Sequence, residues 1–130
     1  MRITLTHTAQ LGILILLSLL LLLHLAILLK IIPYKLVWGG RLKSDKDMYR
    51  FEIISIVMTA VFLFVVLVQA GILPLDLPKR LITYALWLMA GLFLLNTLGN
   101  AVSKNKLEQR LFTPVTVVLA IFSVILALSN

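Results

Sequence analysis

Residues 11–32 read LGILILLSLLLLLHLAILLKII. Only Gly12, Ser18, His24 and Lys30 interrupt this apolar run. A run of about 20 apolar residues is long enough to cross a hydrocarbon core about 30 Å thick. It is longer than the apolar part of a usual signal peptide, and no small-x-small cleavage site follows it, so we expect a retained membrane helix, with cleavage as the alternative. The helix is predicted to continue past Pro33 to about residue 38.

Three further apolar runs of similar length follow, at residues 51–73, 81–102 and 111–129. The gaps at 39–50, 74–80 and 103–110 are short, and short connections favour antiparallel neighbours. The predicted fold class is therefore an all-α integral membrane protein. Its four antiparallel transmembrane helices, at about 11–38, 51–73, 81–102 and 111–129, form an up-down-up-down bundle in a single domain, 1–130.

The composition supports this class and excludes several functions. Hydrophobic residues make up 62% of the chain and charged residues 13%, against about a quarter charged in soluble domains. There is no cysteine, which excludes disulfides and thiolate ligands, and two histidines alone disfavour a conventional zinc site. No P-loop, HExxH, GxSxG or dinucleotide motif is present. We therefore expect no metal, no cofactor and no catalytic residues, and an enzyme is the least favoured class.

The basic residues predict an orientation, because lysine and arginine are retained in cytoplasmic loops. Four crossings place Arg2, Lys79 and Arg80 on one side of the membrane. The other nine of the twelve basic residues lie on the opposite side: Lys30, Lys35, Arg41, Lys43, Lys46, Arg50, Lys104, Lys106 and Arg110. Loops 39–50 and 103–110 are therefore predicted to be cytoplasmic and both termini to lie outside, in a bacterial plasma membrane.

The net charge of +7 points to lipid and not to nucleic acid, since the charges lie in short loops without a basic, aromatic-rich face. Contacts with anionic headgroups on the cytoplasmic side are predicted for Lys30, Lys35, Arg41, Lys43 and Arg50. Lys30 can also extend its long side chain from the helix end to the membrane surface.

Several polar residues cluster at the cytoplasmic ends of the last three helices. The candidate ligand-binding residues are Glu52, Ser55, Asn96, Asn100 and Glu108. Unpaired polar groups cost several kcal/mol in hydrocarbon, so we expect Glu52, Asn96 and Asn100 to face one another across helices 2 and 3. Gly99 is predicted to allow close approach of a neighbouring helix. The cluster has two interpretations: structural hydrogen bonding between helices, or a pocket for a polar ligand.

His24 in helix 1 is a possible proton or hydrogen-bond site. The simpler interpretation is a single structural hydrogen bond, because no acidic residue is predicted at its depth.

The leading functional hypothesis is a small membrane protein that binds or transports a small polar molecule, an ion or a lipid headgroup through this inner-leaflet cluster. The alternative is a structural or accessory subunit of a larger membrane complex, and a small membrane enzyme is third. Expected partners are the lipid bilayer and either a second copy of the chain or a larger membrane partner.

Overall fold

A computed structural model describes residues 2–36 and 42–130 of the chain. This part of the chain contains four long helices. They are α1 (Arg2–Leu28), α2 (Asp45–Gln69), α3 (Lys79–Ala101) and α4 (Thr113–Ser129). A short 3₁₀ turn covers Tyr34–Leu36, and a π-helical turn, Glu108–Phe112, leads directly into α4.

Each helix is long and apolar enough to cross a membrane. The apolar helical spans contain 25, 25, 23 and 22 residues, with the π turn counted in the last. At about 1.5 Å per residue, each span exceeds a hydrocarbon thickness of about 30 Å. Large apolar side chains such as Leu22, Leu88 and Leu128 are exposed along the outer faces. These faces suit lipid, in which an apolar surface carries no penalty.

The first helix begins and ends earlier than the sequence predicts. It starts at Arg2 and stops at Leu28, so the predicted extension through Pro33 does not form. Lys30 takes a left-handed backbone conformation (φ 62°). The amides of Lys30 and Ile31 bond back to the carbonyls of Ile27 and Ala26. This arrangement closes a helix C-terminus in the manner of a Schellman motif, with lysine where glycine is usual.

The second helix begins six residues before the predicted start at residue 51. Ser44 caps it, because its hydroxyl accepts a hydrogen bond from the Asp47 amide at 3.2 Å. Asp45 and Asp47 lie in the first turn, where negative charge interacts favourably with the helix dipole. The polar sequence before Phe51 is thus helical, which apolar periodicity alone does not reveal. At the other end, Gly71 takes φ 77° and closes α2 with a second Schellman-type pattern.

The fourth helix starts with a wider turn. Thr113 donates its amide to the carbonyl of Glu108, five residues earlier. Pro114, at the start of α4, lacks an amide hydrogen, and its ring would crowd the carbonyl of Arg110 in a regular α-helix. A π turn relieves that crowding, and such turns occur often at functional sites.

The helices pack most extensively as α3 with α4, α1 with α2, and α1 with α4, whereas α2 and α3 make few contacts. Fully buried apolar side chains fill the centre, including Ile13, Leu17, Val66, Leu86 and Leu119.

Hydrogen bonds between polar side chains show which helix ends meet. Between α1 and α2, Gln10 donates to Gln69 at 2.9 Å, and His24 lies beside Glu52. Between the end of α4 and the start of α3, Asn130 donates to the Thr83 hydroxyl at 2.8 Å. Thr6 of α1 donates to Ser129 of α4 at 3.0 Å. The start of α1 therefore lies near the ends of α2 and α4, and the end of α4 lies near the start of α3.

Candidate functional site

A cavity of about 370 Å³ lies where the end of α1, the early turns of α2, the end of α3 and the start of α4 meet. Its polar lining residues are His24, Glu52, Ser55, Asn96, Asn100, Glu108 and Thr116. Gly99 and the apolar side chains of Leu20, Leu23, Ile27, Leu95, Phe112 and Val115 complete the wall. Every long helix contributes at least one polar residue to this cavity.

His24 and Glu52 form a short polar contact between α1 and α2. His24 Nδ1 lies 2.6 Å from Glu52 Oε2. The Glu52 side chain is 0% exposed, whereas the His24 side chain is 20% exposed. A buried carboxylate needs hydrogen-bond donors to offset the loss of water, and His24 supplies one. Both residues belong to the cavity lining, and of the two only the His24 side chain is exposed.

The prediction that His24 has no acidic partner at its depth is wrong. The predicted start of helix 2 at residue 51 places Glu52 in the first turn, close to the membrane surface. Because α2 actually begins at Asp45, Glu52 lies two turns inside the helix and level with His24. For the same reason, Glu52 is too far from the helix start to interact with the N-terminal dipole, which weakens within the first turn.

Glu108 is the second buried carboxylate of the cavity. It is 5% exposed and is the first residue of the π turn. Ser103, two residues after the end of α3, donates its hydroxyl to Glu108 Oε2 at 2.6 Å. This bond ties the α3–α4 connection to the cavity and fixes the carboxylate at its edge.

Asn96, Gly99 and Asn100 form the α3 side of the cavity, and Ser55 of α2 lies in the same lining. Asn96 and Gly99 are exposed, and Asn100 and Ser55 are partly buried. The helices α2 and α3, which carry these residues, make few contacts with each other. Glu52, Asn96 and Asn100 therefore border one space, although the hydrogen-bond partner of Glu52 described above is on α1.

Gly99 has a different role from the predicted close helix contact. A Cβ atom added at Gly99 would meet no atom within 4 Å. The glycine therefore leaves cavity space open. The close approach occurs instead at Gly12 of α1, where an added Cβ would overlap the Phe122 ring of α4.

The closed side of the cavity is a buried contact between α3 and α4. Thr97 Oγ1 lies 2.9 Å from Thr116 Oγ1, and Thr116 Oγ1 in turn lies 2.9 Å from the Phe112 carbonyl. Both threonines are almost fully buried. This contact matches the first interpretation of the polar cluster, structural hydrogen bonding between helices. It holds the α3 and α4 walls of the cavity together.

A second, apolar groove of about 220 Å³ adjoins the cavity. Three residues line the groove but not the cavity: Leu16, Leu19 and Leu111. Four residues line both spaces: Leu20, Leu23, Phe112 and Val115. The groove therefore runs between α1 and the start of α4, next to the polar cavity.

Four of the five basic residues predicted to contact headgroups, Lys30, Lys35, Lys43 and Arg50, do not line the cavity. Lys35, Lys43 and Arg50 are exposed, and Arg41 lies outside the described residues. Lys30 bonds to Asp45 at 2.5 Å. This hydrogen bond, together with the attraction between the two charges, raises the pKa of the Lys30 ammonium.

No protein-family model, curated protein or solved structure matches this chain. Among the described residues, no group of three or more histidines and carboxylates is arranged to hold a metal ion.

Proposed function

We propose that this chain is an integral membrane protein whose inner-leaflet cavity binds a small molecule with a positively charged, hydrogen-bond-donating head. In this proposal the four helices are antiparallel and cross the membrane up-down-up-down. The contacts between Gln10 and Gln69 and between His24 and Glu52 support this order for α1 and α2.

The observation that carries the proposal is the convergence of polar residues from all four helices on one open space. Some of these residues bond across helices, as His24 does with Glu52 and Thr116 with Thr97. Together with Ser55, Asn96 and Asn100 they still border about 370 Å³ of open space, within the range of about 300–1,000 Å³ typical of small-molecule sites.

The chemistry of the lining favours a cationic head. Glu52 and Glu108 line the cavity, and their carboxylates attract positive charge while each also bonds within the protein, to His24 and to Ser103. The Asn96 and Asn100 side-chain amides can both donate and accept, so they can orient the polar part of a ligand. The leucine, isoleucine, phenylalanine and valine side chains of the wall suit an apolar part of the same molecule.

The predicted orientation places the cavity at the cytoplasmic leaflet. Loops 39–50 and 103–110 hold most of the basic residues, so they face the cytoplasm and both termini face out. A reporter fused to the C-terminus is expected to behave as extracytoplasmic. Strong cytoplasmic reporter activity there would contradict the orientation.

The proposed site is tested with a matched pair of glycine variants in α3. Gly99→Leu adds a side chain that occupies the cavity, whereas Gly91→Leu adds the same side chain where there is also open space but no cavity. Each protein is purified in mild detergent and analysed by native mass spectrometry for co-purified small molecules. We expect a bound molecule in the unmodified chain and in Gly91→Leu, and its loss in Gly99→Leu.

Glu52→Gln provides the second arm. It keeps the size of the side chain and removes its negative charge, so it should weaken retention of a cationic molecule in a variant that still inserts. Equal retention in all these variants would exclude the cavity as the site. A co-purifying protein together with no bound small molecule would favour the accessory-subunit alternative.

A further inference from the structure

The apolar groove beside the cavity points to the rest of the ligand. The groove is open, is lined by leucine, phenylalanine and valine side chains, and shares four lining residues with the polar cavity. A molecule whose head lies among Glu52, Asn96 and Glu108 would therefore have an apolar channel directly next to its head.

We propose that the ligand is a membrane lipid with an ammonium head, which lies in the polar cavity, and with one hydrocarbon chain in the groove between α1 and α4. This inference rests on the proposed function and specifies the substrate class of the same site.

Charge and position support this occupant over a water-soluble one. The two carboxylates at the cavity attract an ammonium group, and the apolar side chains that line the groove suit a hydrocarbon chain. Leu19 and Leu111 are 57% and 51% exposed at the rim of the groove. In a membrane these exposed rims lie against lipid, so a chain can pass from the bilayer into the groove without crossing a polar region.

The groove lies on one side of the close contact between Gly12 and Phe122. At Gly12, α1 and α4 approach so closely that a single added carbon would overlap the Phe122 ring. Nearer the cavity, the same two helices are separated by the space that Leu16, Leu20 and Phe112 line. The pair of helices therefore diverges toward the proposed cytoplasmic side.

The test uses the full chain in lipid nanodiscs that contain a small fraction of phosphatidylethanolamine with a photoreactive diazirine on one acyl chain. After irradiation, labelled positions are mapped by peptide mass spectrometry. A specific site saturates as the probe fraction rises, whereas ordinary lipid contact grows in proportion. We expect saturable labelling around Leu19 and Leu111, and proportional labelling at Val57 and Leu88, which are exposed on α2 and α3.

Two further probes distinguish the possible sources of the head. Phosphatidylglycerol with the same diazirine chain lacks the ammonium and should give only proportional labelling. A diazirine-bearing alkylamine lacks the phosphate; saturable labelling by it assigns recognition to ammonium and chain alone, and its failure beside a saturating phosphatidylethanolamine assigns the site to the phospholipid. Proportional, equal labelling by phosphatidylethanolamine and phosphatidylglycerol would overturn the proposal.

A matched pair of variants in α1 separates this inference from the proposed function. Leu19→Trp fills the groove, whereas Leu22→Trp adds the same ring at a position that is exposed to a similar extent but does not line the groove. We expect saturable labelling to be lost only in Leu19→Trp. If Leu19→Trp has no effect while Gly99→Leu still releases the bound molecule, the cavity is a ligand site without a chain-binding groove. If neither variant has an effect, both proposals fail.

Discussion

The hydrogen bond between His24 and Glu52 should be the strongest single polar interaction between α1 and α2. A double-mutant cycle measures it: His24→Leu, Glu52→Leu and the double variant are compared with the unmodified chain. The cycle isolates the energy of the pair, because every other interaction of Glu52 is lost equally in the two variants that lack its side chain.

The expected size follows from the geometry. The two atoms are 2.6 Å apart, and the carboxylate is fully buried. Hydrogen bonds that involve a charged group contribute about 1.5–3 kcal/mol net, whereas interhelical hydrogen bonds in membranes average about 0.6 kcal/mol. We expect a coupling energy of about 1.5–3 kcal/mol, because burial shields this pair from competing water.

The free energy of unfolding is measured in mixed micelles by titration with a denaturing detergent, and loss of helix is followed by circular dichroism. The pair formed by Thr97 and Thr116 is the internal comparison, since it is neutral and also buried. Its cycle, with both residues changed to valine, should give about 0.6 kcal/mol. A His24–Glu52 coupling no larger than that of the threonine pair would refute the reasoning.

Two other predictions concern packing and the membrane surface. Gly12→Ala should destabilise the bundle by about 1–3 kcal/mol, because the added carbon overlaps the Phe122 ring. In the same micelle assay, Gly91→Ala should stabilise the bundle by up to about 1 kcal/mol. Equal effects of the two variants would contradict the close contact at Gly12. Because the pKa of Lys30 is raised above 10.5, its bond to Asp45 should stabilise the protein below that pH and be lost as the pH rises through the raised value. The Tm difference between the unmodified chain and Lys30→Met should therefore persist at neutral pH and vanish in strong alkali. It should also shrink in high salt, because the pair is exposed. A Tm difference that is independent of pH and salt would contradict a stabilising ion pair between Lys30 and Asp45.

The helices could be predicted from the sequence because long apolar runs have one main structural solution in lipid. Their ends could not, because other forces set them. The predicted extension of helix 1 to residue 38 fails at Lys30, a residue type that rarely takes a left-handed conformation. The predicted start of helix 2 at residue 51 misses two polar turns whose stability comes from the Ser44 cap and from acidic residues, not from apolar burial.

The wrong start of helix 2 explains why the pair of His24 and Glu52 was not predicted. The depth argument grouped Glu52, Ser55, Asn96, Asn100 and Glu108, and these five residues line one cavity. It excluded His24 as a partner for Glu52, because a helix starting at Phe51 would place the carboxylate too near the surface. Reading Ser44–Asp45–Lys46–Asp47 as an N-terminal capping sequence would have corrected the depth and identified the pair. Whether the cavity binds a ligand stays a prediction.

The location of His24 and Glu52 within the first two helices has a consequence for biosynthesis. An ionised side chain adds about 2.5–3.5 kcal/mol to the cost of inserting a helix when it lies near the centre. Since α1 and α2 precede α3 and α4 in the chain, Glu52 can meet His24 before the rest of the protein has been synthesised. Likewise, Gln10 of α1 bonds to Gln69 of α2, and Thr97 of α3 bonds to Thr116 of α4. In a chain that inserts into a bilayer as proposed, each half can therefore satisfy these polar groups without waiting for the other half.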